Sequence, residues 1–199
     1  MIKIGLTGGI GTGKSTVSRM LMAKGFKVLD ADLVARDVMN RYPEILKRIK
    51  TEFGEGYFDW KGELKRKEFG NHIFRFPKLR KRYEEIIIPY IKKEIYLALQ
   101  RYEDNKEKVV ILDAPTLIEN NMHKDMDLVI VVYTNTNTQI QRVKNRDKVT
   151  NADAISRVNS QMDIEEKKQY ANILVDNNGD LNKTKTQVEG IVEFINSLI

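Results

Sequence analysis

Cysteine is absent from the chain, which excludes disulfides, thiolate metal sites and cysteine nucleophiles and makes a reducing compartment its natural home. Proline is scarce at 4 residues and glycine modest at 12, in a composition 41% hydrophobic and 31% charged, so neither a collagen-like nor a disordered chain fits. Long apolar runs are missing as well: the longest, such as 128–133, fall far short of a bilayer's width. Met1 leads directly into the strand-like Ile2-Lys3-Ile4-Gly5-Leu6, without a charged leader, an apolar h-region or a small-residue cleavage site. These absences predict a soluble globular protein of the cytoplasm. The two histidines, His72 and His123, have no second ligand at zinc-type spacing and read as packing or surface residues. No internal repeat or low-complexity stretch breaks the pattern.

What is present fits one domain, or a core with a modest insertion, in 199 residues. Lys and Arg number 34 against 28 Asp and Glu, a net charge of +6 that favours anionic partners such as nucleotides, nucleic acid or phosphorylated metabolites. Val-, Ile- and Leu-rich runs recur at 2–6, 27–29, 109–112, 128–133 and 173–175. Continuous runs of this kind suit strands buried on both faces, hence an α/β fold with a five-stranded parallel sheet. Helical periodicity is expected from about Lys14 to Lys24, stopping near Gly25, and from about 182 to 198, where Val188, Ile191, Val192, Ile195 and Leu198 share a face. The roughly eighty residues between the second and third strands exceed a crossover, so a helical subdomain is expected there. Within it Glu68–Phe74 and Leu79–Leu99 read as helices, the second interrupted at Pro89, where a helix must kink or break. The basic run Arg75–Arg82 is either a solvated helix face or an anion-facing one. Tyr57, Phe58, Trp60 and Phe69 form either a small core or a platform for a base.

The most informative segment is Gly8-Gly9-Ile10-Gly11-Thr12-Gly13-Lys14-Ser15-Thr16, which satisfies G-x-x-x-x-G-K-[ST] between a strand and a helix. Its glycines let successive N–H groups point inward, the helix N-terminus adds positive potential, and Lys14 carries a mobile charge to the β- and γ-phosphates. Ser15 is expected to offer its hydroxyl to Mg²⁺, and Thr16 to reach a phosphate nearer the nucleoside. Asp113 ends the third strand at the edge where ligands bind; it suits a magnesium-bound water, or alternatively an Asx turn at Ala114-Pro115. Asp30 and Asp32 end the second strand, where one carboxylate can take the proton of an attacking hydroxyl, or either can cap a helix starting near Leu33. Arg142 and Arg146 stand four apart on a helix expected at 137–146, a lid-like arrangement followed by the capping box Thr150-Asn151-Ala152-Asp153.

Taken in order, GLTGGIGTGKST, LDAD with Arg36, LKRKEFGNHIF, ILDAPTLIE, RVKNRD and QYANILVDNNG resemble the dephospho-coenzyme A kinase family over nearly the whole chain. The glycine loop is shared by many families; the set DAD, D-x-P-x-x-x-E and R-x-x-x-R-D is far more specific. The resemblance implies that ATP gives its γ-phosphoryl to the ribose 3′-hydroxyl of dephospho-CoA, with Mg²⁺ and with Asp32 as base. It also implies ATP binding by Gly11, Thr12, Gly13, Lys14, Ser15 and Thr16, with Asp113 beside metal and acceptor and Arg142 and Arg146 in a lid. By the same resemblance Asn177 lies near the adenine, and Arg36 and Arg66 contact the acceptor's phosphate-bearing half. Three positions depart from the family: Ile88 stands where a histidine is frequent, Asn172 where an acid is frequent, and Thr116 where leucine is frequent. The implied organisation is a single P-loop kinase domain over 1–199, with core 1–32, 106–136 and 151–199, an acceptor-binding insertion at 33–105 and a lid at 137–150. Its partners are ATP and dephospho-CoA, with no nucleic acid or membrane, in a monomer or weak homo-oligomer. The competing readings are a P-loop kinase for another small acceptor and a nucleotide-dependent switch or nucleic-acid-associated protein.

Overall fold

The five apolar runs become five strands of one parallel sheet in a computed structural model of the protein, which describes residues 1–73 and 75–199. The chain opens with β1 (Ile2–Gly8), α1 (Lys14–Ala23) and β2 (Lys27–Asp30). Four helices follow: α2 (Ala31–Arg41), α3 (Pro43–Phe53), α4 (Arg66–Ile73) and α5 (Pro77–Asp104). It then runs through β3 (Val109–Asp113), β4 (Leu128–Tyr133), α6 (Thr136–Asp147), α7 (Asn151–Val158), α8 (Ile164–Lys168), β5 (Ile173–Asp176) and α9 (Leu181–Ser197). Residues 1–30 with 101–199 form one compact unit, and residues 31–100 form another.

In the first unit the strands lie in the order β2-β3-β1-β4-β5. Every residue of β3 is buried, as a strand covered on both faces requires. Ile4, Leu6, Ile111, Ile130, Val132 and Val175 of the sheet pack with Val17 and Leu21 of α1 and Val188, Ile191 and Ile195 of α9. Each such side chain, fully enclosed, contributes about 1.5–3 kcal/mol of transfer free energy. Val188, Ile191, Val192 and Ile195 form the stripe expected of the last helix, whereas Leu198, expected on it, lies past the helix end and is exposed. Because β1 sits between β3 and β4, the loops leaving β1 and β3 emerge side by side at the carboxyl edge, where open parallel sheets bind ligands.

The second unit is helical. Val38, Ile45, Ile49, Phe69, Ile73, Ile86 and Ile87 form its core. Phe69 is ringed edge-on by Phe53, Tyr57 and Tyr83 at centroid distances of 5.3, 5.3 and 5.4 Å. Of the aromatic patch, Tyr57, Phe58 and Phe69 therefore belong to core packing, whereas Trp60 is 89% exposed. Helix α5 runs unbroken through Pro89, against the expected interruption. The ring forfeits one backbone hydrogen bond, and burial of Ile86 and Ile87 before it and Ile95 and Leu99 after it keeps both sides helical. Helix α4 corresponds to the helix read at Glu68–Phe74, whose last residue lies outside the described residues. Arg80 pairs with Glu84 at 3.3 Å and Arg82 with Glu52, so these arginines of the basic run are engaged by carboxylates. His72 packs on Phe76 at 5.1 Å. In the first unit His123 packs on Tyr170 at 4.9 Å.

Candidate active site

The loop after β1 turns on Gly11 and Gly13, at φ +80° and +89°, values that L side chains rarely adopt. A Cβ on Gly11 would approach the Gln139 carbonyl to 2.8 Å, and one on Gly13 would overlap the Asn177 amide. Thr12 is fully buried; its N–H and hydroxyl both donate to the Gly9 carbonyl, at 3.1 and 2.8 Å. The Ile10 N–H donates to Gln161 Oε1 at 2.7 Å, which anchors the loop's first half. Among the described residues no acceptor engages the N–H groups of Gly11, Gly13, Lys14 or Ser15. Those four donors, at a helix N-terminus, are what a chain of phosphates can take up.

Asn177 and Arg142 hold this loop from outside. Asn177 is buried, its Nδ2 donating to the Thr12 carbonyl at 2.7 Å and its Oδ1 accepting from the Thr184 hydroxyl at 2.6 Å. Arg142 Nη2 donates to the Asn177 carbonyl at 2.9 Å, while Nη1 lies 3.4 and 3.5 Å from the Gly11 and Thr12 carbonyls. The side chain of Asn177 is thus spent on the loop's own backbone. Gln139, Gln161 and Thr184 complete the brace, and no motif in the sequence singled them out; uncharged polar residues on helix and loop carry no signal until a fold brings them to a carbonyl.

Lys14 Nζ forms an ion pair with Asp113 Oδ1, both side chains being largely buried. Asp113 is placed by the sheet: the Ala114 N–H donates to the Leu6 carbonyl at 3.0 Å, and the Thr7 hydroxyl to the Pro115 carbonyl at 3.2 Å. A hydroxyl from Ser15 and a carboxylate from Asp113 make an all-oxygen set. Among the described residues no cluster of three or more His, Cys, Asp or Glu could hold a metal by itself. One carboxylate with no protein cage is the pattern of Mg²⁺ that is completed by water and substrate phosphates, so the residues fit that ion.

Arg146, one turn after Arg142, points to solvent and pairs with Asp147 at 2.7 Å. Asp147 also takes Arg157 of α7. Arg146 foremost, and Arg157 with it, hold the Asp147 carboxyl below the usual carboxylate range; Asp147 in turn raises the Arg146 guanidinium. Asn135 caps α6 by accepting from the Thr138 N–H at 2.8 Å, and Thr150 caps α7 by accepting from the Asp153 N–H at 3.1 Å.

In the second unit α2 begins at Ala31, two residues earlier than the sequence suggested, so Asp30 directly precedes the helix and Asp32 lies in its first turn. Acidic side chains are favoured there by the helix dipole. Asp32, Arg36 and Asn40 follow at successive intervals of four, all exposed on one side of α2. Arg66 joins that side, its Nη2 donating to Asn40 Oδ1 at 2.8 Å. The structure thus brings the carboxylate and guanidinium of one side of α2 together with a second guanidinium from the start of α4.

A sequence model of the dephospho-CoA kinase family matches residues 2–183. The dephospho-CoA kinase of Clostridium perfringens is 55% identical over 98% of this chain and 98% of its own. The structure of dephospho-CoA kinase from Campylobacter jejuni superposes with a TM-score of 0.72 at 26% identity, covering 97% of this chain and 96% of that one. Shikimate kinase from Acinetobacter baumannii, at 19% identity and a TM-score of 0.53 over 99% of this chain and 94% of its own, shares the fold. A P-loop kinase fold, with a braced phosphate loop facing a buried aspartate and with sequence similarity end to end, places this chain in the dephospho-CoA kinase family.

Proposed function

We propose that this protein transfers the γ-phosphoryl group of ATP to the ribose 3′-hydroxyl of dephospho-CoA, yielding CoA and ADP in the last step of CoA biosynthesis. The observation that carries this reading is the family match over residues 2–183, which spans the phosphate loop, Asp113 and both arginines of α6. Gly11, Thr12, Gly13, Lys14, Ser15 and Thr16 bind the phosphates of ATP, and Asn177, at the rear of the loop, shapes the nucleotide end. Ser15, through its hydroxyl, and Asp113 are the residues that would hold Mg²⁺, and the ion would supply neutralising charge beside the phosphates of ATP. Lys14 leaves Asp113 for the γ-phosphate as nucleotide enters, because a phosphate oxygen offers it a charge-assisted bond of equal kind.

Asp32 accepts the proton of the attacking 3′-hydroxyl while the bond from the γ-phosphorus to the bridging oxygen breaks, and ADP leaves. Arg36 and Arg66 bind the phosphate-bearing half of the acceptor, which the exposure of both and the bond from Arg66 to Asn40, one turn after Arg36 on α2, support. Residues 137–150 act as a lid. Arg142 and Arg146 stabilise charge on the transferring oxygens, Arg142 exchanging the carbonyls it holds behind the loop, and Arg146 exchanging Asp147, for phosphate. The organisation follows as core 1–32, 106–136 and 151–199, with an acceptor-binding insertion at 33–105. The protein works in the cytoplasm as a monomer or weak homo-oligomer, without nucleic acid or membrane.

The test is one discontinuous assay of the protein with Mg-ATP and, in parallel, dephospho-CoA, AMP, CMP, shikimate or no acceptor, with products resolved by mass. A product one phosphate heavier from dephospho-CoA alone, co-eluting with CoA, is expected. Transfer to another acceptor would refute the roles given to residues 33–105, and binding of ATP without transfer would refute the kinase reading.

A further inference from the structure

Two charged residues are buried among the described residues, Asp113 and Lys167. The phosphate chemistry above uses the first and leaves the second unexplained. Lys167, on α8, is wholly enclosed. Its Nζ donates to the Pro115 carbonyl at 2.6 Å and pairs with Glu119 Oε1 at 3.0 Å. The same Pro115 carbonyl takes the Thr7 hydroxyl from β1. Pro115 and Glu119 are the remaining members of the D-x-P-x-x-x-E stretch that Asp113 begins. The segment preceding α8 contributes as well: the Met162 N–H donates to Glu119 Oε1 at 3.3 Å, and Gln161 holds the Ile10 N–H of the phosphate loop.

Enclosing an ammonium is costly. Desolvation pushes the Lys167 ammonium below the ordinary lysine range, Glu119 opposes that shift, and Lys14 reinforces it. An apolar side chain would fill the same space without that cost, so packing alone does not account for a lysine here. What only a cation with a mobile donor supplies is a charge-assisted bond to the carbonyl two residues past Asp113. We propose that Lys167, with Glu119 as its counter-charge, is a positioning residue: by holding the Pro115 carbonyl it fixes the Asp113–Pro115 turn and thereby the direction in which Asp113 presents its carboxylate to the phosphate loop.

This inference rests on the role given to Asp113 above. Its test avoids a misfolded variant. Lys167→Met alone would leave the Glu119 carboxylate, whose Oε2 is buried without a hydrogen-bond partner, in an apolar setting with no counter-charge. The pair Lys167→Met with Glu119→Gln removes both charges together, and Lys167→Arg keeps the charge and the donor. In the double variant kcat is expected to fall about 10- to 100-fold, the usual cost of losing a group that orients a ligand-bearing side chain, with the KM for ATP within about threefold of wild type. Equilibrium titration with ATP supplies a readout that needs no acceptor: Mg²⁺ tightens ATP binding less in the double variant by about tenfold, whereas binding of metal-free ATP is unchanged. Lys167→Arg recovers most of both losses. Loss of activity that merely follows the folded fraction, with the effect of Mg²⁺ on ATP binding intact, would make Lys167 a packing residue and overturn the proposal. Wild-type protein that binds Mg-ATP normally but phosphorylates no dephospho-CoA would refute the acceptor reading instead, and the titration would still decide the role of Lys167.

Discussion

At the scale of single residues, the phosphate loop is built by subtraction and bracing. Gly11 and Gly13 supply positive φ and room for Gln139 and Asn177 to approach, and Asn177 then caps the Thr12 carbonyl. Asn177→Ala strands that carbonyl and the Thr184 hydroxyl away from water, and thermal unfolding is expected to report a loss of about 1–3 kcal/mol. Lys14 differs, since its present partner is Asp113 and its proposed one is a phosphate. Lys14→Ala should weaken nucleotide binding and transfer together by roughly tenfold or more, corresponding to one charge-assisted contact, as read by nucleotide titration and steady-state rates. For Asp32→Asn the two readouts should separate. ATP affinity stays near wild type while turnover drops by about 10²- to 10⁴-fold, the range of a lost general base. Unchanged turnover in that variant would remove Asp32 as the base. The glycine loop with Lys14, and a carboxylate pair after the second strand, were legible as local patterns, whereas the roles of Asn177 and of Asp32 as base came with the family resemblance.

At the scale of elements, α6 and α7 are joined through Asp147, which takes Arg146 from its own helix and Arg157 from the next. The folded state holds the Asp147 carboxyl below its unfolded value, so unfolding is accompanied by proton uptake at acid pH. Its stabilising contribution is therefore complete above the unfolded carboxylate value of about 3.9 and is lost as pH falls through the lower folded value. Asp147→Asn should lower the unfolding temperature slightly at neutral pH, since the pair is open to solvent, and the difference from wild type should close in acid. Equal gaps at both pH values would show that Asp147 acts by packing. The capping signals around these helices were readable in the sequence, Thr150 and Asp153 in particular. The destination of Arg142 was not: periodicity put it on one face with Arg146, while the fold gives one to the loop carbonyls and the other to Asp147. Pro89 is the converse case, where a local rule predicted a kink or a break, and burial of isoleucine and leucine on both sides keeps the helix unbroken.

At the scale of the whole molecule, the chain divides into residues 1–30 with 101–199, and 31–100, and the roles proposed above divide with it. The phosphate loop, Asp113, Arg142, Asn177 and Lys167 belong to the first unit; Asp32, Arg36 and Arg66 belong to the second. Hydrogen exchange read by mass should accordingly find that Mg-ATP protects the loop after β1 and the start of α1, and that dephospho-CoA protects α2 and the start of α4. Protection of α2 by nucleotide alone would reverse these assignments. No helix among the described residues is long and apolar enough to cross a membrane, in line with the short apolar runs of the sequence. By itself the sequence determined the parallel sheet, the phosphate loop and the family, because apolar runs, a nine-residue glycine motif and ordered short motifs are carried by neighbours along the chain. Only the tertiary structure decided that Asn177, Gln161 and Arg142 brace the loop, that Arg66 meets Asn40 on the face of Asp32 and Arg36, and that Lys167 lies buried against Pro115. Those contacts join residues tens to more than a hundred positions apart, and a hydrogen bond or a buried charge has no one-dimensional signature: its energy depends on which carbonyl, and how little water, the fold brings to it.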